Sequence, residues 1–147
     1  MRRGFGLMQA IVIMLVVGGI MTLALRYARV GAVHTADSYT RERAELFLQS
    51  ATEIAMLQIS GQDRGDGCLD RVRVRSREGD FVADIRILRY YLLEGSADLA
   101  ACGSLGYPIS TEESHGMVLM EAQVYSDPAS ARVPHPVRIL RRSLQRP

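Results

Sequence analysis

The chain has no lysine, so all 18 of its basic side chains are arginine, and they face 16 acids. The resulting formal charge of +2 excludes the strong basic excess of a dedicated nucleic-acid binder. The lack of lysine by itself carries no functional conclusion. Cysteine is nearly absent too: Cys68 and Cys102 are the only two, and no further cysteine or histidine stands at ligand spacing from them, so no metal centre is expected. His34, His115 and His135 are isolated from one another. Ser114-His115 is adjacency without a triad, and Gly103-Ser104-Leu105-Gly106 is not a G-x-S-x-G elbow, so no enzyme activity and no cofactor are expected. Asp63, Asp66 and Asp70 lack the spacing of an EF-hand loop and read as an ordinary helix-ending loop.

The absence that says most is of charge. From Phe5 to Leu25 there is not one ionisable side chain, and about 20 helical residues at ~1.5 Å each cover a hydrocarbon core of roughly 30 Å. This segment is expected to cross a membrane once. Of 147 residues, about 120 then remain outside the bilayer, enough for one small domain.

Proline is missing as well until Pro108, so nothing interrupts a helix through the next stretch. Val30, Val33, Ala36, Ala44, Phe47, Ala51, Ile54 and Ala55 recur mostly at three- and four-residue steps. The polar residues Arg41, Glu42, Arg43, Glu45, Gln49 and Glu53 fall on other faces. One continuous helix is expected from Phe5 to Ser60, about 84 Å long, stopped by Gly61 and the polar run to Gly67. Gly18-Gly19 is its weak point, where bending or unwinding is expected.

Beyond Gly67 the period becomes two. Arg71, Arg73, Arg75 and Arg77 alternate with Val72, Val74 and Ser76; after Glu78-Gly79-Asp80 the alternation resumes with Phe81, Ala83, Ile85 and Ile87 in a run to Leu93. This is a hairpin, centred on Gly79-Asp80 with Val74 opposite Ile85, or on Glu78-Gly79 with the same faces kept. A loop rich in small residues spans Glu94 to Pro108. A third strand runs from about Met117 to Tyr125 with Val118, Met120, Ala122 and Val124 inward. A last strand covers Val133 to Arg141; Pro134 and Pro136 send it to a sheet edge or delay its start. The predicted fold is α+β: a long N-terminal helix on a small antiparallel sheet of about four strands. Cys68 and Cys102 lie beyond the membrane segment and read as one disulfide closing a loop of about 35 residues, worth roughly 3 to 4 kcal/mol, with two buried thiols as the alternative.

Arg2-Arg3-Gly4-Phe5, followed by Gly6-Leu7-Met8-Gln9 and the apolar run, resembles the type IV pilin-like proteins: pilins, minor pilins and the pseudopilins of type II secretion. The resemblance implies a leader of residues 1–4, cut between Gly4 and Phe5 by a prepilin peptidase that methylates the new Phe5 amine. Residues 5–25 would then be the transmembrane part of the helix, 26–60 its amphipathic extension and 61–147 a β-rich ectodomain. Removal of Arg2 and Arg3 leaves 16 arginines against 16 acids. The resemblance further implies a subunit of the bacterial inner membrane with a periplasmic domain. Its expected partners are the lipid bilayer, other pilin-like subunits, the prepilin peptidase and an inner-membrane assembly platform.

Two departures from the family pattern stand out. The fifth mature residue is usually a glutamate that pairs with a neighbour's N-terminal amine; here it is Gln9, a filament contact without the charge. Loss of that glutamate is associated with the pseudopilin at the filament tip. The cysteines also bracket the first hairpin, where many pilins bracket a C-terminal segment. The readings that compete with a filament subunit are an ordinary secretory signal with Val30-Gly31-Ala32 as its cleavage site, and an uncleaved anchor bearing a periplasmic binding module that does not polymerise. The arginine ladder with Arg86, Arg89, Tyr90 and Tyr91 is read as a solvated or subunit-contacting face, because Asp70, Glu78, Asp80 and Asp84 are interleaved with it; nucleic acid is not an expected partner.

Overall fold

The computed structural model describes residues 4–63, 67–133 and 135–147. Two compact units divide the chain between Tyr39 and Thr40. Helix α1, Gly4–Gly61, contributes to both.

In the first unit α1 is helical throughout, Gly18-Gly19 included. The expected unwinding is not seen there; the Thr22 hydroxyl donates to the Gly19 carbonyl at 2.8 Å, a local bond available inside the helix. From Gly6 to Ala36 every side chain is exposed, Met14 to 76%. One segment of α1 is long and apolar enough to cross a membrane, with a mean hydropathy of 2.3 over its best window.

In the second unit α1 buries Ala44, Leu48, Ala51, Ala55 and Ile59. Steps of four, three, four and four residues keep these on one face, and three of the five are alanines, which lets the helix backbone lie close to the sheet. Phe47 packs beside them, whereas Ile54, at 36% exposure, falls off the stripe. The sheet supplies the opposing surface. Its strands are β1 (Arg71–Arg75), β2 (Phe81–Leu93), β3 (Gly106–Ile109), β4 (Met117–Ser126) and β5 (Arg138–Gln145), in the order β1-β2-β4-β5 with β3 also on β2. All pairings are antiparallel except β2 with β3. The α+β architecture expected from the sequence is therefore present, with β3 as an additional short strand.

The first hairpin takes the Glu78-Gly79 centring: Val72 lies opposite Ile85 and Val74 opposite Ala83. Gly79, at φ 75°, supplies the left-handed residue that the turn needs. The two centrings differ by two residues, so both place the same side chains inward.

β2 carries a bulge at Leu88, the extra residue between the pairs Ile87–Met120 and Arg89–Leu119. It shifts the inward parity from Phe81, Ala83, Ile85 and Ile87 to Tyr90 and Leu92. The Tyr90 ring is buried and its hydroxyl donates to the Leu69 carbonyl at 2.8 Å, satisfying a group that would be costly to leave alone.

The segment expected as a loop from Glu94 to Pro108 contains helix α2 (Ala97–Ala101), a turn of 3-10 helix and β3. Together these form a short crossover that returns parallel to β2. β4 has Val118, Met120, Ala122 and Val124 buried, as its alternation predicts. β5 begins after Pro136 and lies at an edge. Cys68 and Cys102 are joined, with Cα atoms 4.9 Å apart, so the disulfide links the approach to β1 with the end of α2.

Candidate functional site

The sequence marks two regions: the start of α1, and the outward face of the sheet. Gly4 and Phe5 lie in the first turn of α1, while Arg2 and Arg3 fall outside the described residues. Gln9 follows one turn later with its side chain exposed. No charged residue occurs from there to Leu25, and Arg26, Tyr27 and Arg29 close the apolar segment, all exposed. Such a surface suits lipid or other apolar helices, and the arginine and tyrosine side chains suit a membrane–water boundary.

On the sheet, the arginine ladder is largely tied to acids of its own domain. Arg71 forms a two-pronged ion pair with Asp84, and Arg73 reaches the same carboxylate at 3.4 Å. Arg75 pairs with the buried Asp127 at 2.7 Å. The hydrogen bond from Arg71, strengthened by the charges of Arg71 and Arg73, holds the Asp84 carboxyl below its ordinary range against the opposing effect of burial. On the other side of β2, Arg142 pairs with Glu121 at 2.8 Å and Arg138 donates to Gln123 at 3.1 Å. The outward face is thus a mosaic of matched charges, not an open track of cations.

A third cluster was not visible as such in the sequence. Asp80, read there as a turn residue and as one of the acids interleaved with the arginine ladder, is 1% exposed. Its carboxylate accepts from the Ser130 hydroxyl at 2.8 Å, pairs with Arg43 of α1 at 3.3 Å and lies 3.9 Å from Arg132. Its carbonyl accepts from the Asp127 amide at 2.8 Å. The Ser130 hydrogen bond, with the charges of Arg132 and Arg43, lowers the Asp80 pKa in spite of its burial. Arg43 also stacks over Phe81, 5.8 Å from the ring centroid, and Phe81 stacks on Phe47 at 6.3 Å. One carboxylate therefore ties α1, the first hairpin turn and the segment after β4 together. No local motif announces it, because Ser130 is 50 residues away in sequence.

The remaining sequence candidates have structural surroundings. His115 accepts the Leu93 amide proton through Nδ1 at 2.9 Å, which locks the end of β2. Asp63 and Asp70 are exposed, and Asp66 lies outside the described residues. Arg89 stacks on Tyr107 at 5.1 Å, and Tyr107 meets Tyr91 edge-on at 5.6 Å. Tyr90 points inward instead, because of the bulge.

A long apolar N-terminal helix with a small, largely antiparallel sheet on its later part is a pilin-like architecture. No family model, curated protein or solved structure matches the chain.

Proposed function

We propose that the chain is a minor pilin-like or pseudopilin-like subunit. It is held in the bacterial inner membrane by residues 5–25, with its sheet domain in the periplasm, until it is drawn into a short filament of the type IV pilus or type II secretion kind. The observation that carries this reading is α1 itself, one helix that starts as a charge-free apolar rod and ends as the core helix of the sheet domain. Such an element serves a bilayer and a bundle of like helices equally well, because both offer apolar surface. The mechanism is packing. Lateral association draws on the apolar face, and the energy for extraction comes from a separate assembly ATPase acting through the inner-membrane platform.

Gln9 supports a minor or tip position. A neutral amide hydrogen-bonds a neighbour's amine without neutralising it, and an unneutralised charge in lipid costs several kcal/mol. A subunit repeated along the filament would meet that cost at every contact, and one at the tip would not.

The test is processing. In cells that contain a prepilin peptidase, the wild-type chain is expected to begin at an N-methylated Phe5, and Gly4→Ser is expected to retain residues 1–4 and migrate more slowly. An unprocessed wild-type N-terminus, or identical N-termini for the two forms, overturns the reading in favour of a single-pass anchored module that does not polymerise.

A further inference from the structure

The two free edges of the sheet differ in how their arginines are balanced. On β1, Arg71, Arg73 and Arg75 are matched by Asp84 and Asp127. On β5, Arg138 and Arg142 have partners, whereas Arg141 has no ion pair among the described residues.

Strand β5 is also where the apolar core stops. Val118, Met120, Ala122 and Val124 of β4 are buried, and their β5 neighbours on the same face are Gln145, Ser143, Arg141 and Ile139. Between this polar face and the flank of α1 lies an open groove of about 580 Å3. Met56 and Leu57 line it from the helix; Arg141, Ser143 and Gln145 line it from the strand. The opposite face of β5 exposes Leu140 to 59% and Leu144 to 51%.

The backbone supplies the rest. The Ser126 amide donates to the Val137 carbonyl, in the same register as the β4–β5 ladder. Hydrogen-bonded positions alternate in an antiparallel pair, so 139, 141, 143 and 145 bond to β4. The N–H and C=O groups of Arg138, Leu140, Arg142 and Leu144 are therefore directed to the free edge.

We propose that this edge is a docking site for an extended, acidic segment of another protein, which adds as a further strand with acidic side chains beside Arg141 and apolar ones beside Leu140 and Leu144. Main-chain bonds supply affinity in such an addition, and alternate side chains supply selectivity. A second copy of this chain is the poorer match, because β5 itself, Arg138–Gln145, brings three arginines and no acid to the edge. With the outward-directed residues paired to each other, a symmetric β5–β5 contact centred on Leu140 sets Arg138 against Arg142. One centred on Arg141 sets Arg141 against itself, and one centred on Arg142 sets Arg142 against itself; like charges directly opposite are destabilising. Glu53, on the helix wall of the groove, is exposed and stays in water while the incoming acid meets Arg141 across the strand pair. The inference does not depend on filament assembly, since an anchored domain would offer the same edge.

The experiment uses the full chain in detergent micelles and a fluorescein-labelled octapeptide of alternating glutamate and valine, followed by anisotropy. Saturable binding is expected, with slowed amide exchange at Leu140 and Arg142. Arg141→Glu, a change at an exposed position, is expected to weaken binding about tenfold or more while leaving the melting curve in place. A lysine–valine octapeptide is expected not to bind, nor a glutamate–valine one with its backbone N-methylated. The proposal is overturned by no saturation up to about 1 mM peptide, an affinity near the weak limit of specific recognition. It is equally overturned by undiminished binding to Arg141→Glu, or by undiminished binding of the N-methylated peptide, which would mean charge attraction without strand addition.

Discussion

Asp80 is the residue on which the sheet domain concentrates its polar contacts. Because its carboxyl binds a proton less readily in the folded chain than in the unfolded one, the stability that it contributes is complete above the ordinary carboxylate value of 3.8 and is lost as the pH falls below that through the lowered native value. Asp84 acts in the same direction, through Arg71 first. Asp80→Asn is therefore expected to melt at a lower temperature than wild type at pH 7, with the gap closing below about pH 3.8 as the wild-type carboxylate takes up its proton. Thermal unfolding followed by circular dichroism across pH 2.5 to 7, on the order of six points, checks this. A gap that stays constant with pH would assign Asp80 a packing role alone. The sequence made Asp80 legible as a turn residue and as an acid among the arginines, but not as a buried one. Its partners come from α1 and from a segment 50 residues downstream, and side-chain meetings across that distance leave no periodic trace.

At the scale of elements, strict alternation is what made β4 readable: Val118, Met120, Ala122 and Val124 face inward as written. The second half of β2 was not readable in this way, since Ile87-Leu88 and Tyr90 to Leu93 are apolar or aromatic at consecutive positions and admit either parity. Leu88 decides between them. Deleting Leu88 is expected to leave the faces as they are, because Ile87 opposite Met120 is then followed directly by Arg89 opposite Leu119, outward, and Tyr90 opposite Val118, inward. The variant is expected to stay folded, with near-UV dichroism retained and the amides of β4 still protected from exchange. A lost spectrum would show that the fold needs the local twist of the bulge and not parity alone. β3 escaped the sequence because its four residues include Pro108, which reads against a strand. At an outer edge, though, a missing N–H costs no ladder bond. Within α1, Leu48 and Ile59 were missed and Ile54 was wrongly included, because Ile54 and Ala55 are adjacent apolar residues of which only one can face the sheet.

At the scale of the molecule, the composition and the apolar segment already separated a helix long and apolar enough to cross a membrane from a single sheet domain, and the α+β class followed from the change of period after Gly67. What the sequence could not supply was the outward surface, where function is expected to reside, since charges that look like a ladder in one dimension are neutralised by acids from neighbouring strands in three. The disulfide belongs to this scale too. Cys68 and Cys102 are 34 residues apart, and replacing both by serine is expected to cost roughly 3 to 4 kcal/mol, read as a lower denaturation midpoint with an unchanged slope. An unchanged midpoint would mean that residual structure already confines the unfolded chain as much as the bridge does.

That same bridge governs what a protease could do to the domain. Arg71, Arg73, Arg75 and Arg89, all bonds that a trypsin-like enzyme would favour, lie between the two cysteines. A nick at any of them produces two new ends and no free fragment, for the sulfur link still joins α1 to β4 and β5. Cleavage inside this covalent ring is a scar, whereas cleavage between α1 and Cys68 breaks the only covalent path from the sheet to α1.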